Sequence, residues 1–218
     1  IKMNAFSNDY EDWYYDFDTT HYDHRTAPEL LCASKRNLRG LIALVNRMFE
    51  HRSDILVVRV DLSYRTEFKS SVPLELAQMH RERLLADRRY YPDVFHGLMG
   101  YAWCLEPSDK SGGYHYHLIA FYEGRLQKNA VGLGMGIKYL WEGAITGGIG
   151  HCSVINLDAH KFRKNGTLGI GMIHRDDFHA RRNLVERVLP YITKKCHFEE
   201  AYSGLTETGD FRTFGKSQ

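Results

Sequence analysis

Gly113-Tyr114-His115-Tyr116-His117-Leu118-Ile119-Ala120-Phe121-Tyr122 is the stretch on which the fold turns. β-Branched and aromatic residues dominate it and glycines open it, so it reads as a strand. Side chains alternate along a strand, which puts His115 and His117 on one face and Tyr114, Tyr116, Leu118 and Ala120 on the other. Two neutral imidazoles converging from one face form half of a divalent-metal site. A histidine pair also serves purely structural ends, so the reading needs a third donor.

Glu106 supplies one. It ends the apolar run Phe95–Leu105 and precedes the turn-rich segment Pro107-Ser108-Asp109-Lys110-Ser111-Gly112-Gly113. If the two runs pair as a hairpin with Glu106 opposite His115, the carboxylate and both imidazoles share a face. A slip of one residue would turn Glu106 away. Glu123 has the right parity, but six residues at ~3.3 Å each place it about 20 Å from His117.

A third element lies in Leu184-Val185-Glu186-Arg187-Val188-Leu189-Pro190-Tyr191-Ile192-Thr193-Lys194-Lys195. Leu184, Val185, Val188, Leu189 and Ile192 follow helical spacing and form a core-facing stripe. Tyr191 falls at the edge of that stripe, where its ring packs and its hydroxyl reaches out. Lys194 and Lys195 are its helical neighbours. Pro190 removes a backbone donor and is expected to kink the helix beside Tyr191.

Glu106, the His115-Tyr116-His117 triplet and Tyr191-Ile192-Thr193-Lys194 together resemble the motifs of the HUH endonuclease superfamily. Their order and spacing are similar to those of rolling-circle replication initiators, in particular the inovirus-type and prophage proteins. The resemblance covers about residues 54–196. It implies that Glu106, His115 and His117 hold a divalent metal, Mg²⁺ or Mn²⁺. It also implies that Tyr191 attacks single-stranded DNA at a replication origin, giving a 5′-phosphotyrosine and a free 3′-hydroxyl, with Lys194 or Lys195 assisting. Host helicase and polymerase would then be partners, in the cytoplasm of a bacterial host. The chain departs from the pattern in two ways. The segment 55–64 carries no copy of the first motif of many initiators, and a single tyrosine occupies the nucleophile region.

Composition accords with such a protein. A chain of 218 residues with 43% hydrophobic content can bury a core. Cys32, Cys104, Cys152 and Cys196 show no metal or disulfide spacing, which points to a reducing, cytosolic setting. No apolar run reaches membrane-helix length and no signal-peptide pattern opens the chain. The net charge of +2 hides an asymmetry. Residues 1–29 hold seven acidic residues against Lys2 and Arg25, a balance of −5, so the other 27 basic and 20 acidic residues leave 30–218 at +7. Basic clusters at Arg81, Arg88 and Arg89, at Lys161, Arg163 and Lys164, and at Arg181 and Arg182 suit single-stranded nucleic acid, especially beside Tyr90 and Tyr91.

Periodicity predicts helices over 27–51, 73–89, 127–142 and 177–196, and strands over 54–64, 95–106, 114–123, 150–157 and 167–173. The fold class is α+β: an antiparallel sheet with a ferredoxin-like βαββαβ core, helices covering one face and the metal site on the open face. Domain organisation is expected as an acidic, aromatic extension over 1–29, the endonuclease domain over 30–196 and a C-terminal tail over 197–218. Gly215-Lys216-Ser217 has the wrong spacing for a P-loop, and Gly132-Leu133-Gly134-Met135-Gly136 fails as a dinucleotide fingerprint. Those helical glycines are expected to allow close packing. Three alternatives stay open: a single-tyrosine HUH transposase or relaxase, a cupin-like metalloenzyme, and a noncatalytic DNA-binding protein.

Overall fold

The computed structural model describes residues 34–107, 113–193 and 212–218. The N-terminal extension, Lys194 and Lys195 lie outside the described residues. Helix α1 (Lys35–His51) begins at Ser34, whose hydroxyl accepts from the Asn37 amide, and buries Leu38, Leu41, Ile42, Leu44, Val45, Met48 and Phe49. Strand β1 (Asp54–Tyr64) follows, then α2 (Leu74–Ala86) behind Pro73 and the short α3 (Pro92–Phe95). Strands β2 (Leu98–Pro107) and β3 (Tyr114–Glu123) form the hairpin. Helix α4 (Ala130–Tyr139) continues as a π turn to Ile145, followed by β4 (Gly150–Val154), α5 (Ala159–Lys164) and β5 (Gly171–His174). Helix α6 (Phe178–Asn183), a π turn over Leu184–Val188 and α7 (Leu189–Ile192) form the tyrosine-bearing segment. Strand β6 (Phe214–Lys216) closes the described chain.

The six strands form one antiparallel sheet in the order β4-β1-β3-β2-β6, and β5 also pairs with β1. Strand β6 lies in the segment expected to be a tail. It is three residues long and built around a glycine, too short to show periodicity. A Cβ on Gly215 would stand 2.6 Å from the Trp103 ring, so only glycine lets the backbone lie on the indole. Helical glycines behave as expected: a Cβ on Gly134 would meet Val154 at 2.5 Å, and one on Gly136 would meet Val94 at 2.8 Å.

The expectation that helices cover one face is corrected. Leu56, Val58, Val60, Leu62, Trp103 and Tyr116 pack with α2, α4 and Trp141 on one side, while Ile55, Val57, Ala102, Ile119 and Phe121 pack with α1 and the α6–α7 segment on the other. Helices therefore lie on both faces, and the second is covered only in part. From Ile55 to Val58 every residue of β1 is buried, whereas Arg59, Asp61 and Ser63 alternate as half-exposed positions between buried neighbours. The second layer stops short there and leaves room for a site.

Strands β4 and β5 share one edge of β1, at Val60–Tyr64 and Asp54–Val57 respectively. The buried Asn156 fills the gap between them. Its Oδ1 accepts the Arg59 amide at 2.8 Å and its Nδ2 donates to the Val57 carbonyl at 3.0 Å, replacing two rungs of the missing ladder. Replacing Asn156 with Ala should orphan both backbone groups, at about 1–3 kcal/mol each. Urea unfolding should show a loss of roughly 2–5 kcal/mol, and a midpoint within error of wild type would deny the bridge its role.

Candidate metal centre and nucleophile

The hairpin register places Glu106 directly opposite His115 and Cys104 opposite His117, while on the other flank of β3 Asp61 faces His117. Parity then turns Glu106, Asp61 and both histidines toward the partly covered face. Oε2 of Glu106 lies 3.2 Å from Nε2 of His115 and 3.1 Å from Nε2 of His117. One ligand atom from each of the three residues lies within 4.8 Å of the others. The two imidazole planes stand nearly perpendicular, with centroids 4.8 Å apart.

Asp61 completes the set by holding Nδ1 of His117 at 2.7 Å. A carboxylate on one ring nitrogen orients the imidazole and aims the other nitrogen, here Nε2, at Glu106. Without metal, burial disfavours the charged form of His117, but the hydrogen bonds and charges of Asp61 and Glu106 outweigh it and raise its pKa above the ordinary 6.5. For Glu106 burial again opposes ionisation, and the two histidines overcome it to hold the carboxyl below its ordinary 4.5. The raised histidine stabilises the metal-free fold fully below pH 6.5 and loses that contribution as pH rises through its folded value. The depressed carboxyl contributes above pH 4.5 and less as pH falls. The metal-free site is thus most stabilising between those two values.

Tyr191 reaches the same place from the helical layer. Its hydroxyl lies 3.4 Å from Nε2 of His117, the nitrogen that faces Glu106, and the two rings meet edge to face at 4.7 Å. The disruption by Pro190 falls one turn earlier than expected. The chain widens into the π turn over Leu184–Val188, so α7 restarts with Pro190 in its first turn, where no amide donor is required. Burial raises the Tyr191 pKa, Asp61 and Glu106 add to the rise, and Arg59 opposes it. The Arg59 guanidinium lies 4.0 Å over the phenol ring.

Arg59 and Asp61 were not singled out in the sequence, although two charges at one parity inside an apolar strand are a usable signal. Glu123 stays outside the site: it faces Ile55 at the far end of β3 and pairs with Arg52 at 2.9 Å. Among the basic candidates, Arg81 is a correction. Its side chain is 11% exposed, bonded to Glu82 at 2.6 Å and stacked 4.0 Å over Trp103, so it supports the opposite face of the sheet. Arg88 and Arg89 follow α2 on that side, over Tyr101 and Tyr90. Lys161, Arg163 and Lys164 are exposed on α5, whose Phe162 packs on the site's own face; Lys161 pairs with Asp158 at 2.7 Å. Arg181 lies over Phe49 and Arg182 grips Glu186 through Nε at 2.9 Å, so both brace α6 on the site's face.

The family profile described as YagK/YfjJ C-terminal domain matches residues 21–217, a span that holds every residue of this centre. The chain belongs to that family. No curated protein and no solved structure matches it. Asp61→Asn should weaken divalent-metal affinity by about 10–100-fold, the usual cost of losing an outer-shell carboxylate. Calorimetric titration with Mn²⁺ checks it, and unchanged affinity would leave His117 oriented by packing alone. No helix among the described residues is long and apolar enough to cross a membrane.

Proposed function

We propose that the chain is an HUH-type endonuclease and strand transferase that nicks single-stranded DNA through Tyr191, holds the 5′ end covalently and so initiates rolling-circle replication. One observation carries the reading: the Tyr191 hydroxyl stands 3.4 Å from the metal-facing nitrogen of His117. Nucleophile and ligands meet on one sheet face. The order β4-β1-β3-β2, with α2 and α4 on one side, supports a ferredoxin-like core extended by β5 and β6.

Two imidazoles and a carboxylate fit a divalent ion, and the imidazoles favour Mn²⁺ over the more strictly oxygen-seeking Mg²⁺. Glu106, His115 and His117 would hold it. When bound, such an ion supplies Lewis acidity at a phosphate oxygen and positive charge near the phenol. Tyr191 gives up its phenolic proton and attacks phosphorus, the bond to the 3′-oxygen breaks, that oxygen takes up a proton so that none is consumed overall, and the 5′-phosphate remains esterified to Tyr191. Because the ester conserves the broken bond, rejoining is the reverse step and needs no ATP. Arg59 provides the electrostatic help that the resemblance assigns to Lys194 or Lys195, opposing the effect of burial on the phenol.

The experiment is to mix protein, Mn²⁺ and pools of single-stranded oligonucleotides and look for an adduct that survives denaturation. Adducts on origin-like sequences support the proposal. Adducts confined to transposon ends or transfer origins would make the protein a transposase or relaxase, and none on any pool would sink the nicking mechanism. Metal affinity should also rise with pH through and above 6.5, because His117 must lose the proton that Asp61 and Glu106 help it keep.

A further inference from the structure

A cavity of about 130 Å³ lies beside the centre, walled in part by Tyr191, Arg59 of β1, Phe162 of α5, Thr167 of the following loop, and Arg187 of the π turn. Its chemistry is lopsided. Two arginines line it and, among the described residues, no acidic one does. Asp61 pairs with Arg59 by charge at 3.8 Å from Nη2, too far for a hydrogen bond, and does not line the cavity. The Nε atoms of both arginines are buried without a hydrogen-bond partner among the described residues, an unfavourable state for a donor. Among the described residues the charge of the cavity lining is therefore positive. Beyond Phe162, exposed Arg163 and Lys164 extend the positive surface outward along α5.

We propose that this cavity is a phosphate subsite, in which Arg59 and Arg187 hold a phosphate of the DNA strand next to the one that Tyr191 attacks. The proposal rests on the nicking reading for its ligand, and it deepens it. Guanidinium forks match phosphate oxygens, and an anchored neighbouring phosphate sets the register of the strand over the nucleophile without reading sequence. A nucleobase is of comparable size, but two cationic lining residues favour an anion.

The test needs no cleavage. In metal-free buffer, single-stranded DNA binding is measured by fluorescence anisotropy over a salt series for wild type, Arg187→Gln and Arg187→Lys. The glutamine variant should bind all sequences more weakly and reduce the slope of log affinity against log salt by about 0.7–1, and lysine should restore the slope. In parallel, inorganic phosphate is titrated into the wild-type protein and the arginine Nε–H resonances are followed; those of Arg59 and Arg187 should shift together. This second arm decides the matter if Arg187→Gln does not fold. An unchanged slope with a sequence-dependent loss would overturn the proposal in favour of a base pocket, and silence of both resonances would overturn it outright. Phosphate responses in a protein that forms no covalent adduct would uphold the subsite while the nicking reading falls.

Discussion

Tyr191→Phe is expected to abolish the covalent DNA adduct, a loss of at least about 1000-fold in its rate of formation, because the substitution removes the attacking oxygen and nothing else. The ring keeps its stacking with Arg59 and His117, while the hydroxyl gives up its 3.4 Å contact with His117 and its hydrogen bond with Arg59. Stability should therefore fall by about 1–2 kcal/mol, and Mn²⁺ affinity should stay within a few-fold. Denaturing gels with a labelled oligonucleotide read the adduct, and calorimetry reads the metal. An adduct on the phenylalanine protein would hand the nucleophile's role to another residue and remove the observation on which the proposed function stands.

The second large effect concerns the hairpin. Glu106→Ala should lower divalent-metal affinity by more than the ~10–100-fold that loss of an outer-shell partner costs, since it deletes the one anionic ligand. Glu123→Ala should leave it unchanged, because Glu123 is bound to Arg52 at the other end of β3. Comparable losses in the two variants would be incompatible with the pairing of Glu106 and His115.

The clustering of Glu106, His115 and His117 was legible because a strand's period of two makes parity a strong constraint. Once His115 and His117 share a face, a tight hairpin leaves Glu106 few positions, and the observed register is the one parity favours. Tyr191 was legible from helical spacing, but the response to Pro190 was not, since a π turn is an adjustment of backbone hydrogen bonds with no residue pattern of its own. The second helical layer was misread for a related reason. Residues 55–58 are buried on both faces and give an unbroken apolar run, which alternation alone cannot distinguish from one buried face. Arg81 was misassigned because counting charges says nothing of where a long side chain ends, and its guanidinium ends on Trp103. Arg59 and Asp61 acquire meaning only through β3 and α7, elements far along the chain.

The side-chain bridge made by Asn156 also bears on how such a protein could change. Residues 155–170 leave the edge of β1 after β4 and come back to that edge at β5, carrying α5 and packing Phe162 and Leu168 on the core at the side of the sheet. They contribute Phe162 and Thr167 to the cavity and none of the metal ligands. Lengthening, shortening or exchanging the portion beyond Asn156 would remodel the surroundings of Tyr191 while leaving Glu106, His115 and His117 where they are. On the proposed nicking function, substrate preference and chemistry would then be inherited separately, with one buried amide as the hinge post between them.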